Sequence, residues 1–190
     1  NTLVVAYDKQ GSVYASRLWW MLKATGHANV RVLDGGLDAW NGPMGSIPRA
    51  PTPCTQAIGV MPYAGLVLVD EVVANLETKK NKIIDARGED RFRGQNETLD
   101  PVGGHIPGAM NRFFKNNLNA TAFKTPEQLF KEFSESLGTT KASEVIHQCG
   151  SGVTACHNLL AMELAGFKGS RLYAGSWSEW CADPKRPVEL

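Results

Sequence analysis

Cysteine is scarce in this chain: four residues in 190, at positions 54, 149, 156 and 181, and no C-x-x-C pair among them. So sparse a set cannot staple a chain of this length, and a reducing intracellular compartment fits it better than a disulfide framework. His147 with Cys149, and Cys156 with His157, match no common zinc-ligand spacing, so neither a metal nor another cofactor is expected. Charge of one sign is also lacking, with 20 Lys and Arg against 19 Asp and Glu. Without a basic stripe, nucleic acid is not an expected partner. No apolar run approaches the roughly 20 residues of a membrane span, so no membrane association is expected either. The opening Asn1-Thr2-Leu3-Val4-Val5-Ala6 has no initiator Met and no charged signal-peptide start, and it reads as a strand. The expected location is the cytoplasm, or the mitochondrion if the source is eukaryotic. The sequons at Asn96 and Asn119 are then chance occurrences. Composition is ordinary, with 43% hydrophobic and 21% charged residues. It allows one full domain of about 120–150 residues plus something smaller.

What the chain does have is a cysteine in a telling place. Ser143 to Gln148 carries an apolar centre and reads as a buried strand; Ala155 to Ala165 reads as a helix. Between them lies Cys149-Gly150-Ser151-Gly152-Val153-Thr154. A cysteine at the tip of a strand–tight loop–helix unit can receive several backbone N–H groups on its sulfur, and the helix N-terminus adds about half a positive charge. Both effects favour the thiolate, which is the nucleophile. Gly150 and Gly152 let the loop turn at positive φ and leave its amides uncovered. The plain alternative is a buried structural thiol in a β–α turn, because free cysteine is among the most buried residue types. Phosphatase chemistry is not expected, because of the residue six places on. A phosphate dianion needs an arginine there, and this chain has Ala155.

Two stretches repeat at an offset of 140. Gly26 to Trp40 aligns with Gly166 to Trp180, matching Gly26/Gly166, Arg31/Arg171, Gly35/Gly175 and Trp40/Trp180. One residue of slip extends the match upstream and sets Leu3–Asp8 on Glu144–Cys149, so that Asp8 faces Cys149. Each copy is strand–loop–helix–strand–turn ending in tryptophan, the signature of a duplication. Only the second copy has a preface. Leu66–Val69 and Lys82–Asp85 read as strands around a helix from Asp70 to Lys79, and Thr125-Pro126-Glu127-Gln128 opens a helix that ends at Gly138. Alternation of β and α predicts a parallel sheet flanked by helices. The expected domains are 1–50, the back half of a first domain that is incomplete in this chain; 51–62, a proline-rich linker; and 63–190, a complete second domain. Such a half domain leaves a sheet face and edge in need of a missing segment, present as another chain or replaced by contacts with the second domain. The five tryptophans are expected in core and interdomain packing, with Trp177 also able to wall a pocket beside Cys149.

The residues Asp85-Ala86-Arg87 with Arg91-Phe92, Gly104-His105-Ile106-Pro107-Gly108-Ala109, the loop Cys149–Thr154 and Gly175-Ser176-Trp177-Ser178-Glu179-Trp180 together resemble tandem rhodanese-type sulfurtransferases, most of all the 3-mercaptopyruvate sulfurtransferase branch. The resemblance covers nearly the whole chain. It implies a first, inactive rhodanese domain whose aspartate stands where the nucleophile stands in the second, which Asp8 opposite Cys149 fits. It implies further that Cys149 takes a sulfane sulfur from a small-molecule donor as a persulfide and passes it to a thiol, thioredoxin or cyanide. Ser151 is implied as an aid to the donor's sulfur. Gly150, Gly152, Val153 and Thr154 are implied as the cradle of the persulfide.

Donor choice is implied by the loop. Thiosulfate-preferring relatives place Arg and Lys after the cysteine, whereas Gly150 and Ser151 here suit a monoanion such as 3-mercaptopyruvate. The family grips the donor carboxylate with two arginines nine residues apart. Arg91 matches the first, Asp100 stands at the second, and Arg93 is the candidate substitute. Arg87 and His105 read as structural, an ion pair and a turn-packing residue. A thiosulfate sulfurtransferase is the alternative within the class, and a non-catalytic rhodanese module that binds partners or senses oxidants is the alternative outside it. A Cys149–Cys156 redox pair would have poor disulfide geometry on one loop–helix element.

Overall fold

A computed structural model describes residues 2–45 and 63–190. The first stretch is one compact unit: β1 (Val4–Ala6), α1 (Val13–Ala24) and β2 (Val30–Val32), with the two strands parallel and Val4 opposite Val30. The second stretch runs β3 (Leu66–Val67), α2 (Val69–Thr78), β4 (Lys82–Asp85), α3 (Glu89–Phe92), β5 (Met110–Asn111), β6 (Leu118–Asn119), β7 (Ala122–Phe123), α4 (Pro126–Leu137), β8 (Val145–Gln148), α5 (Thr154–Leu164), β9 (Arg171–Tyr173) and α6 (Ser176–Cys181). Its five-stranded sheet has the order β3-β9-β8-β4-β5 and is parallel throughout, as the βα alternation predicts. The linker expected at 51–62 lies outside the described residues. No helix among the described residues is long and apolar enough to cross a membrane.

Alternation along the strands builds two cores. Ile83 of β4 and Ile146 of β8 pack with Val67, Tyr173, Trp177 and Trp180. Their neighbours Ile84 and Val145 point to the other face, onto Leu129 and Phe133 of α4 and Met162 of α5. All four residues of β8 are buried, the polar His147 and Gln148 as well as Val145 and Ile146, because the strand is covered on both faces. α4 starts on the capping box read from the sequence: Gln128 N–H donates to Thr125 Oγ1, and Thr125 N–H donates to the Gln128 side chain. β3 is shorter than the expected Leu66–Val69, because Leu68 is the N-cap of α2 and its carbonyl already accepts from Glu71 and Val72.

α5 is buried from Ala155 to Met162 because it is covered on two sides. One side meets the sheet and α4. The other meets α1 of the first repeat copy, where Trp19 and Trp20 pack on Ala155, Cys156, Leu159 and Leu160. Four of the five tryptophans are buried as expected, but Trp40 is 47% exposed while its repeat counterpart Trp180 is fully buried. Trp180 owes its burial to a roof formed by the last residues of the chain, with its Nε1–H on Pro187 O and Arg186 over its ring. Val5 of β1 and the residues flanking the strand, Leu3 and Tyr7, are likewise exposed.

Candidate active site

β8 delivers Cys149 to the floor of a cleft of about 680 Å³ at the carboxyl end of the sheet, the end at which parallel sheets place their ligand sites. Cys149 is 2% exposed. Gly150, Ser151, Val153 and Thr154 line the cleft with it, together with Arg87, Asp90, Arg91 and Asp100, the rings of Phe113 and Phe114, and Val13 and Tyr14 of the first copy. Among the described residues that line this cleft there is no histidine.

The loop is held from behind. Trp177 N–H donates to Cys149 O at 3.0 Å, Ser178 N–H to Gly150 O at 2.9 Å, and Cys149 N–H to Ser176 Oγ at 3.1 Å. In a trans peptide the carbonyl and the next N–H point in opposite directions. Carbonyls tied to the α6 segment therefore turn the following amides, those of Gly150 and Ser151, the other way. Gly152 has φ 76° and is packed so closely that a Cβ on it would lie 2.5 Å from Ala174 O. Only glycine serves there. Gly152 shapes the turn rather than lining the cleft.

The first repeat copy shows what such a loop does with an anion. Asp8, at the position matching Cys149, takes N–H donors from Gln10 and Ser12 on Oδ1 at 2.8 and 2.9 Å, and from Tyr14 and Ala15 on Oδ2 at 2.8 and 2.9 Å. The matching positions of the second copy are Ser151, Val153, Ala155 and Cys156. In the first copy the cradle is filled by the chain's own carboxylate; in the second a cysteine stands in its place. Asp8→Ala strips four amides of their acceptor, and of these four residues only Tyr14 borders the cleft, while Asp8 itself does not line it. A loss of about 1–2 kcal/mol is expected, by analogy with a helix N-cap. For a chain of this size that is a fall in Tm of roughly 2–8 °C. Turnover should stay within a few-fold of the parent, and a drop of about a hundredfold or more would contradict the placement of Asp8 outside the chemistry.

The two arginines expected at the donor carboxylate part company. Arg91 lines the cleft near Gly150, and its guanidinium pairs with Glu97 at 2.8 and 3.0 Å and with Asp100 at 3.3 Å. Arg93 does not line the cleft: it is exposed and paired with Glu89, one turn back on α3. Two residues apart on a helical turn, Arg91 and Arg93 cannot face the same way, so Arg93 is no substitute for the second arginine. Asp100, at that second position, is instead a partner of Arg91. Glu97 is a residue that sequence reasoning misses. Its burial pushes its carboxyl up, but the bonds from Arg91 and the N–H groups of Leu99 and Asp100 outweigh this and hold it below the ordinary carboxylate range. Nothing in the local sequence marks it, because its role depends on a loop doubling back over α3.

The remaining candidates are structural. Arg87 is buried, bidentate on Asp85, bonded to Gly104 O at 2.7 Å and stacked over Trp177. His105 is buried against the Phe92 ring, with Nδ1 2.9 Å from Phe92 O. Trp177 does not wall the pocket; it is fully buried behind the loop, with its Nε1–H on Val102 O. Burial pushes the Cys156 thiol up to about 12, Arg17 opposing, and Cys156 donates to Gly152 O at 3.3 Å. Burial lowers His147 to about 3 and His157 to about 4, so both are neutral near pH 7. Among the described residues no group of three His, Cys, Asp or Glu side chains could hold a metal ion.

A parallel sheet with a cysteine loop at its carboxyl end and a second, aspartate-filled copy of the same unit packed against it is the rhodanese arrangement. The rhodanese-like domain profile matches residues 1–43 and 68–183, and the chain belongs to that family. It is 45% identical over 99% of its length to a probable 3-mercaptopyruvate sulfurtransferase of Pseudomonas aeruginosa, spanning 68% of that protein. It is 38% identical to the thiosulfate sulfurtransferase of Bos taurus over 95% of the chain and 63% of the relative. To the human 3-mercaptopyruvate sulfurtransferase it is 38% identical over 94% of the chain and 62% of the relative. The chain thus spans about two thirds of the length of these proteins. Among solved structures, the 3-mercaptopyruvate sulfurtransferase of Leishmania major superposes with a TM-score of 0.77 at 30% identity, over 98% of this chain and 53% of that one. An anaerobic ergothioneine biosynthesis enzyme of Chlorobium limicola shares the fold with a TM-score of 0.84 at 23% identity, over 100% of this chain and 51% of that one.

Proposed function

We propose that this chain is the catalytic part of a sulfurtransferase that moves sulfane sulfur from 3-mercaptopyruvate to a thiol, thioredoxin or cyanide through a persulfide on Cys149. In this reading residues 1–50 are the back half of an inactive domain and 63–190 the catalytic domain. The observation that carries the reading is the matched pair of loops: one grips a carboxylate with four amides, and the other presents Cys149 at the same place, in a cleft. The Cys149 thiolate attacks the donor sulfur and the carbon–sulfur bond breaks toward carbon. The resulting enolate of pyruvate takes the proton of the donor thiol, leaving an anionic Cys149 persulfide. Amides of residues 150–154 stabilise the terminal sulfur, and the Ser151 hydroxyl at the cleft orients the incoming one. An acceptor thiolate or cyanide then attacks the terminal sulfur, the sulfur–sulfur bond breaks, and the Cys149 thiolate returns.

Charge in the cleft supports a singly charged donor. Two arginines and two aspartates line it, Arg87 is committed to Asp85, and Arg91 is shared between Glu97 and Asp100. Little uncompensated positive charge is left for a dianion. The test is kcat/KM for 3-mercaptopyruvate against thiosulfate, in the parent and in Gly150→Arg/Ser151→Lys. The parent is expected to favour 3-mercaptopyruvate by tenfold or more, and the double variant to shift preference toward thiosulfate, since a dianion gains more from two added cations. A parent that favours thiosulfate by tenfold would overturn the donor while leaving sulfur transfer in place.

A further inference from the structure

Amides can converge on a sulfur only if the carbonyls between them turn outward, and a carbonyl turned into the protein needs a donor. Three carbonyls of the Cys149 loop are held in this way. Cys149 O and Gly150 O are served by the backbone of Trp177 and Ser178, in the same domain. Gly152 O is served from the other half of the molecule, by Arg17 Nη1 of α1 at 3.2 Å, with the Cys156 thiol a weaker second donor at 3.3 Å. The Arg17 guanidinium lies over the Trp20 ring, 5.3 Å from its centroid, and Nη1 is 3.8 Å from Cys156 Sγ. The clasp is reciprocal. Gly11 matches Gly152 in the first copy and shares its positive φ, 68° against 76°. Its carbonyl lies 3.0 Å from Nε2 of His157, a side chain of α5. A carbonyl only accepts, so His157 donates there, and its Nδ1 accepts from Asn117 at 3.2 Å. In the first copy the amide next to that clasped carbonyl, Ser12 N–H, is one of the four on Asp8. The amide next to Gly152 O is that of Val153.

We propose that Arg17 is a positioning residue of the sulfur-transfer site: by holding the Gly152 carbonyl from the first repeat copy, it aims the Val153 N–H at the sulfur on Cys149 and sets a positive charge behind the loop. The inference rests on the persulfide reading above and adds to it that the first copy takes part in shaping the catalytic loop. The persulfide is the state with most to gain, because its anionic sulfur is what the aimed amide meets.

The experiment is single-turnover persulfide formation on the parent, Arg17→Met and Arg17→Lys over a range of 3-mercaptopyruvate concentrations, with Tm measured on each. Arg17→Met is expected to lower the limiting rate about tenfold while the half-saturating donor concentration stays within threefold, since Arg17 does not line the cleft. Arg17→Lys, which keeps a charged donor, is expected to recover to within threefold of the parent. Ala24→Gly, about two turns along α1 and clear of the loop, controls for stability. A limiting rate for Arg17→Met within twofold of the parent overturns the proposal. So does an equal loss in Ala24→Gly at a matched fall in Tm. If Arg17→Met does not fold, Arg17→Gln takes its place with a fivefold loss expected, and a rate within twofold of the parent has the same meaning. A parent that forms no persulfide refutes the function instead, before Arg17 enters.

Discussion

Treated with a sulfur donor, the parent protein gains the mass of one sulfur atom on the peptide containing Cys149, and Cys149→Ser gains none. The expectation follows from where the thiols are. Among the described residues the free cysteines are Cys149, Cys156 and Cys181, all buried, and only Cys149 borders the cleft. Burial pushes the Cys156 thiol up to about 12 and raises that of Cys181, which leaves both protonated and poorly nucleophilic near pH 7. Serine preserves the shape of the loop but forms no persulfide, so transfer should fall to background rather than merely slow. Mass spectrometry of the digested protein reads this directly. An adduct of unchanged yield in Cys149→Ser would remove Cys149 as the nucleophile.

Gly152→Ala is expected to lose a hundredfold or more in the rate of persulfide formation although it adds a single methyl group away from the reacting sulfur. A residue with a Cβ at φ 76° is disfavoured by roughly 1–2 kcal/mol. The Cβ would also sit 2.5 Å from Ala174 O and 3.0 Å from Ala174 Cα, backbone atoms that cannot rotate aside. Relief requires the loop to move, and with it the peptide that joins the Gly152 carbonyl to the Val153 amide. A hundredfold is about 2.7 kcal/mol of barrier at 1.36 kcal/mol per tenfold, comparable to the loss of one oxyanion-hole donor. Gly150→Ala is the contrast. A Cβ there meets only the Arg91 guanidinium, at 3.7 Å, an ordinary contact, and a rate within a few-fold of the parent is expected. Equal losses in the two variants, or none in Gly152→Ala, would refute the account of the loop. Stopped-flow or quenched single-turnover assays separate these outcomes.

The elements that the sequence disclosed are those whose signals are local. The β8–loop–α5 unit, the capping box at Thr125 and the parallel character of the sheet all rest on neighbouring residues or on periodicity. So does the match of Asp8 to Cys149, which needs only two stretches of chain read side by side. Its consequence was not legible: four amides on the Asp8 carboxylate are a product of the folded loop. The arginines show the same boundary from the other side. Arg91 and Arg93 are both candidates for the donor carboxylate in the sequence, yet α3 turns one into the cleft and the other to solvent. Asp100 stands out in the sequence as an unexpected residue in the place of an arginine, but that it binds Arg91 together with Glu97 depends on the path of residues 94–103. The tryptophans divide likewise, since Trp40 and Trp180 occupy matching positions and only the second has a roof.

The sequence by itself determined the fold class and pointed to the duplication, to Cys149 as the candidate nucleophile and away from phosphatase chemistry, because each depends on which residue types stand at short, fixed spacings. Tertiary structure alone decided what surrounds Cys149. It brought Arg17 to Gly152 and His157 to Gly11 across 135 and 146 residues of chain, and it neutralised Arg91 with carboxylates from a loop folded back on its own helix. Hydrogen bonds and ion pairs form between groups that packing sets a few ångströms apart, and for residues so distant in the chain no pattern in the sequence carries that distance.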